Sequence, residues 1–328
     1  MTVAAEAATA GRIGVPSGGP GPAIWLGGRF RLEERITAAG QLSLWKATDE
    51  LLRRPVTIHL LPRGVPVPRH VVEAVQAAAR VSDPRLATIY DTDCSVEGPY
   101  IVSEWTRGTH LEDLVLSGLP APALATAMIA DAADALAVAH RAGRPHLCLG
   151  PRSLRWDADT GLKITGLGID AALTGTNAAG TNAADPAAAD PAAADTTALA
   201  RMLYALLTGC WPGDEPTALP TAPRHKGRVY TPRQVRAGVP GVLDAITCHA
   251  LQLQPPGAPR PMLTPAGLAM ALHSVWRPSY SSFGPAGPAG CVPVLAPGTM
   301  SRRQARHARN PRGRAGTRHR TTLLRPAA

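Results

Sequence analysis

The chain has no cysteine pair at C-x-x-C spacing: its five cysteines, Cys94, Cys148, Cys210, Cys248 and Cys291, lie far apart. A closely spaced thiol motif is therefore excluded, and a reduced cytoplasm is the expected compartment. The N-terminus carries Glu6 among small residues and lacks the basic-then-apolar order of a secretory leader. No stretch of about 20 apolar residues runs free of charge, Pro and Gly. The uncharged run from Phe283 to Met300 comes nearest, and its Pro and Gly content argues against a spanning helix, so no transmembrane segment is expected. Residues 301–328 contain no Asp, no Glu and no aromatic residue, but nine Arg. That tail holds nearly all of the formal net charge of +10, and the first 300 residues are close to neutral.

What is present suffices for a substantial core. With 328 residues, 45% of them hydrophobic, the chain is long enough for one large two-lobed domain or two ordinary ones. Residues 1–26, rich in Ala, Gly and Pro, read as a disordered leader, with order beginning near Gly27. Short β-type runs follow at Arg29 to Arg35, Ser43 to Thr48, Val56 to Leu61, Ala87 to Tyr90 and Pro99 to Glu104. One helical run, Arg69 to Val81, interrupts them, with Val71, Val72, Val75, Ala78 and Ala79 near helical spacing. Beyond Gly108 the texture is helical, at Leu111 to Leu116, Pro120 to Ala142, Thr196 to Thr208, Val239 to Leu253 and Thr264 to Val275. Between Gly175 and Asp195 two five-residue units repeat in tandem; such units bury no core and read as a flexible loop. From Arg277 a Pro/Gly/Ser linker leads into the Arg-rich end.

Two loops stand out. His146-Leu147-Cys148-Leu149-Gly150-Pro151-Arg152-Ser153 and Leu162-Lys163-Ile164-Thr165-Gly166-Leu167-Gly168 have the outline of a phosphotransferase's catalytic and metal-binding loops. Together with a β-rich half followed by a helical half, they make residues 27–277 resemble a bacterial Ser/Thr protein kinase of the actinobacterial type. Gly28 to Leu32 resembles the opening strand, Trp45 to Asp49 the second strand and its turn, and Val56-Thr57-Ile58-His59 stands where V-A-I-K is expected. Tyr100 to Trp105 resembles the hinge, with Glu104 and Trp105 at its end, Asp195 to Gly209 the central helix, and Arg260-Pro261 a late Arg-Pro pair. The resemblance implies an α+β, protein kinase-like bilobal fold. Residues 27–105 would form a small antiparallel β lobe plus one helix, residues 106–277 a larger, mainly α lobe, and residues 278–328 a linker and disordered tail.

The departures fall where ATP would bind. Phosphoryl transfer needs a glycine-rich phosphate cradle, a Lys, a carboxylate near the attacking hydroxyl, a carboxamide and a metal-binding carboxylate. In their places stand Thr37, Ala39 and Leu42 around a retained Gly40, then His59, Cys148, Ser153 and Gly166. A His with a pKa of about 6.5 is mostly neutral near neutral pH and is shorter than Lys. Cys and Ser are poor ligands for a hard cation, and Gly has no side chain. The helix Glu that would pair with the Lys falls on Ala74, with Glu73 one residue and about 100° away. No metal site and no cofactor are expected; ATP and Mg enter only if displaced residues restore the chemistry.

Several residues have plain readings. Cys148 reads as a structural thiol, with His146 a packing residue of its loop, and His59 as a partly buried strand residue. Strand alternation places Lys46 on the solvent face, with Trp45 inward. The resemblance gives Asp195 a structural role, anchoring the catalytic-loop backbone, and gives Arg260 a pairing role for which the partner is Asp185, Asp190 or no residue at all. Thr174, Thr176 and Thr181 on the repeat-bearing segment are phosphosite candidates that a true kinase could modify, creating a site for a phosphothreonine-reading domain. The Arg tail would bind polyanions by counterion release. A shifted reading frame after Trp276 is another reading of the composition change there.

Three functions follow as expectations. The first is a catalytically inactive kinase-like module that binds a protein partner and regulates cell-envelope synthesis, akin to the pseudokinase group associated with the actinobacterial lipid II flippase. It would be cytoplasmic and membrane-associated through that partner. The second is a divergent but active Ser/Thr kinase, and the third a nucleic-acid binder driven by the basic tail.

Overall fold

Alternating apolar and polar residues build the first part of the molecule into a six-stranded antiparallel sheet. Its strands are β1 (Trp25–Leu26), β2 (Phe30–Ala39), β3 (Leu42–Asp49), β4 (Arg54–Leu60), β5 (Ile89–Asp93) and β6 (Tyr100–Glu104), in the order β1-β2-β3-β4-β6-β5. This computed structural model describes residues 24–39, 42–95, 98–174, 190–253 and 264–275, all within the unit Met1–Pro278.

Residues paired across strands share a face. The pairs Trp45↔Ile58, Ala47↔Val56 and Ile58↔Val102 therefore send their side chains to one side, where they cluster with Leu26, Phe30, Leu32 and Tyr100. The pairs Leu44↔His59, Thr57↔Ser103 and His59↔Ile101 face the other side, toward a cleft. Helix α1 (Arg69–Ala78) carries Val71 and Val75 on its buried stripe, and both pack with Leu61, Ile101 and Ile169. Ile169 follows the second loop, so this cluster fixes that loop to the helix.

The second part is mainly α: α2 (Leu111–Ser117), α3 (Pro122–Arg141), α4 (Asp170–Thr174), α5 (Pro191–Thr208), α6 (Pro232–Val235), α7 (Gly241–Ala250) and α8 (Pro265–Val275). Helix α3 is apolar and long enough, by length and composition, to cross a membrane, but 61% of its most apolar window is buried inside the protein. Ala125, Met128, Ile129 and Leu136 meet Leu199, Leu203 and Leu272 in the main core, which accounts for a helix apolar on most sides. Two small sheets complete the fold: β7 (Thr109–His110), β8 (Leu154–Asp157) and β9 (Gly161–Ile164) in one, β10 (Arg224–His225) and β11 (Arg228–Val229) in the other. Both lobes and their order agree with the α+β, kinase-like expectation.

Three expectations are corrected. Order begins before Gly27: Trp25 and Leu26 pair with Arg31 and Phe30, and Leu26 is buried. The last repeat unit is not loop but the first turn of α5, because the Asp190 side chain caps Ala192 N at 2.9 Å, Pro191 sits at the first helical position and alanines follow. Lys46 shares the cleft-side face with Thr57 rather than the opposite one; its Nζ bends out to Glu33 at 3.7 Å and lies 5.4 Å from the Trp105 ring centroid. Trp45 does turn toward the lobe's own cluster.

Candidate functional site

Between the sheet and the helical part lies a cleft with a cavity volume of about 380 Å³. Ile36, Leu42 and Leu44 line it from β2 and β3, Arg155 from β8, and Ser153 and Thr165 from the loops below. Such a volume falls in the range of small-molecule sites.

Asp195 organises the first loop. Its carboxylate is 1% exposed and accepts from His146 N at 2.7 Å, Leu147 N at 2.8 Å and His140 Nε2 at 2.7 Å. Leu147 is held at φ 64°, in the left-handed region that side chains avoid. His146 is buried, and its Nε2 donates to Thr165 O at 2.8 Å, which ties the two loops together. Cys148 is half-buried with its Sγ 3.4 Å from Thr174 Oγ1, and Ser153 Oγ accepts from Gly150 N at 3.2 Å inside the loop's own turn. Neither side chain has a carboxylate's charge to offer an acceptor hydroxyl or a cation.

The second loop turns sharply. Gly166 has φ 87°, and its carbonyl accepts from Ile169 N and Asp170 N, both at 3.0 Å. A Cβ at Gly166 would run into the Asp170 carboxylate, so an acidic side chain from four residues on fills the space beside the vacant position. Gly168, at φ 71°, lies so close under α1 that a Cβ there would be 2.5 Å from Ala78 Cβ and 3.0 Å from Ala74 O. Helix α1 thus sits directly on this loop. Glu73 plays no part in the cleft, being bound to Arg69 at 2.7 Å on the exposed side.

His59 faces Asp170 across the cleft, Nε2 to Oδ1 4.0 Å, too long for a hydrogen bond, and its Nδ1 has no hydrogen-bond partner among the described residues. Burial pushes the His59 pKa down, and the nearby Asp170 charge offsets this only in part, so the ring is neutral at neutral pH. Asp170 is the only carboxylate among the described residues lining the cleft.

The hinge is already occupied. The Glu104 carbonyl accepts from Thr57 Oγ1 at 3.2 Å, and the Thr106 carbonyl from Arg155 Nη1 at 3.2 Å. The Glu104 carboxylate turns away to Lys163 Nζ at 2.6 Å. Arg155 also gives Nη1 to Gly108 O at 2.9 Å and Nη2 to His110 Nε2 at 2.8 Å, and its Cζ lies 5.7 Å from the Trp105 ring centroid. Burial first, then the charges of Arg155 and Arg152, lower the His110 pKa. Among the described residues no carboxylate lies within 4 Å of Arg155, whereas Arg152 is paired with the buried Glu112 at 2.8 Å.

The cleft therefore brings together Thr37, Leu42, His59, Trp105, Ser153, Gly166 and Thr174 of the residues singled out in the sequence. Ala39 is the last residue of β2, paired with Leu42. Gly40, Thr176, Thr181, Asp185 and Arg260 lie outside the described residues, and Asp190 is the α5 cap. Sequence reasoning missed Thr57, His110, Arg155 and Asp170. Thr57 replaces the Ala of V-A-I-K and Arg155 follows Ser153 by two, so both were accessible as polar substitutions beside known landmarks.

No family model matches the chain. It is similar to serine/threonine-protein kinase PknB of Mycolicibacterium smegmatis, with 30% identity over 255 residues, covering 70% of this chain and 40% of the relative. A protein described as a probable serine/threonine-protein kinase of Clostridium acetobutylicum is 26% identical over 247 residues, covering 70% and 38%. The chain thus spans about two fifths of the length of these relatives. Among solved structures, that of Rad53 residues 1–466 in complex with AMP-PNP aligns with TM-score 0.54 and 16% identity, over 75% of this chain and 64% of that one; this likeness concerns the fold.

Proposed function

From the premise that the chain is a protein kinase-like domain whose relatives are Ser/Thr protein kinases, we propose that it is a pseudokinase, a module that binds rather than transfers phosphate. The single observation that carries the reading is the cleft's acid content: among the described residues one carboxylate, Asp170, standing beside a neutral His59. In-line phosphoryl transfer needs carboxylates at two places and a cation between phosphates and protein. Hinge carbonyls that already accept from Thr57 and Arg155 add to it, since an adenine amino group would have to share the oxygen with a donor already in place.

In this reading the fold is kept for its surface. The partner is a protein, either an active kinase that phosphorylates Thr174, Thr176 or Thr181 or a phosphothreonine-reading domain, and the setting is cytoplasmic regulation of cell-envelope synthesis at the membrane through that partner. Thr174 is exposed at the end of α4, where a phosphate could be added. The Arg-rich tail would supply contacts to polyanions, and its part is measured by deleting residues 278–328.

A specific observation favours a second reading, an active divergent kinase: the Asp170 carboxylate fills the space beside Gly166 and could take over the metal. Thermal denaturation with ATP and Mg²⁺ separates the two. An enzyme that binds the pair gains stability by mass action, whereas the pseudokinase melts at the same temperature with and without it. Autophosphorylation seen by mass spectrometry, in protein made with no other kinase present, would overturn the proposal.

A further inference from the structure

We propose that the hinge end of the cleft binds a small organic carboxylate with an apolar body, its acid group seated on Arg155. This rests on the reading that the cleft does not hold a metal-bound nucleotide, and it names what the cleft holds instead.

Arg155 has the features of an anion anchor. Three of its five N–H donors go to Thr106 O, Gly108 O and His110 Nε2, which fixes the plane of the guanidinium and leaves two donors for a ligand. Two backbone carbonyls and a neutral imidazole orient the cation without neutralising it. With no carboxylate of the described residues within ion-pairing distance, a half-buried positive charge is left to be balanced from outside. The orientation is set before binding, so little is lost in ordering the side chain.

The rest of the cleft selects the ligand class. Arg152 is tied to Glu112, so among the described residues lining the cavity Arg155 is the one cation without a carboxylate in contact, felt by Asp113 only at longer range, and a monoanion matches it. Asp170, at the His59 end, repels a second negative charge, which disfavours a polyphosphate without its cation. Between these ends Ile36, Leu42, Leu44 and Leu173 present apolar surface suited to a ring or short alkyl chain.

The test uses the full chain and matched probes: benzoate, phenylacetate and indole-3-acetate, each beside its uncharged amide, followed by calorimetry and ligand-observed NMR. At least one acid should bind about tenfold or more tightly than its amide, the value of a charge-assisted hydrogen bond. Arg155→Met should remove that preference, and Arg155→Lys should keep part of it. Because the acid-to-amide comparison is made on the unaltered protein, it stands even if Arg155→Met folds poorly. Amides binding as well as acids, no acid binding at all, or an acid preference that survives in a folded Arg155→Met protein would each overturn the proposal. A parallel titration with ATP and Mg²⁺ keeps the two ideas apart: nucleotide binding sinks the pseudokinase reading, while failure of every acid with no nucleotide binding sinks this one alone.

Discussion

The Asp170 carboxylate stands in the space that a side chain on Gly166 would enter. A side chain on Gly166 and the present position of the Asp170 carboxylate are therefore mutually exclusive. Substituting Gly166→Asp alone should not restore metal-nucleotide binding. The new residue would be forced to φ 87°, close to a like charge, and stability should fall by about 1–3 kcal/mol in urea titration. Adding Asp170→Gly removes the obstruction and should recover part of that loss. A fully stable single variant would show that the loop is free to rearrange.

Asp195 holds the first loop in a conformation the chain would not choose. Leu147 sits at φ 64° because its N–H and that of His146 both reach one buried carboxylate. Asp195→Ala leaves these donors and His140 without an acceptor, so unfolding free energy should drop by about 3 kcal/mol or more. The measurement is equilibrium denaturation, with a near-UV spectrum to confirm a native fold.

His59 should make stability depend on pH. Its pKa is depressed in the folded protein, chiefly by burial, so as pH falls below about 6.5 the unfolded chain takes up a proton that the folded one resists. The stability of the neutral ring is present above that pH and is lost as pH falls toward the folded pKa. Against His59→Gln, the parent should lose stability more steeply from pH 7 to pH 5. Because the Asp170 charge props the pKa up, Asp170→Asn should steepen the loss further. Parallel pH profiles for parent and His59→Gln would rule out the depressed pKa.

The order of strands and helices was legible because each signal is local: β-type runs between turns, and helical spacing at Val71 and Val75. That His59, Ser153 and Gly166 line one cleft was legible from the resemblance, which placed them in its loops and strands. Three things were not. The sheet of β7, β8 and β9 is made of two- and four-residue strands, too short to show a period. The helical start at Pro191 was hidden by its repeat composition, since Asp-Pro-Ala-Ala-Ala is both a low-complexity unit and a good first turn. Asp170 was invisible as a site residue because its role comes from the backbone turn at Gly166, which brings it into a cleft built by other elements.

The hinge offers a direct check on the proposal that the cleft takes no nucleotide. Thr57 and Arg155 take the Glu104 and Thr106 carbonyls, and each bond is 3.2 Å, modest in length and therefore open to competition. A net hydrogen bond is worth about 1 kcal/mol and each carbonyl keeps a second lone pair, so each contact opposes a purine by about fivefold at most. Thr57→Ala frees one acceptor, and Arg155→Met frees the other while removing a half-buried charge. Adenosine without metal should raise the melting temperature of the double variant and leave the parent unchanged. The single Thr57→Ala protein should fall between them. Equal responses of parent and double variant would mean that these contacts do not close the hinge, and the exclusion would then rest on the cleft's missing acids alone.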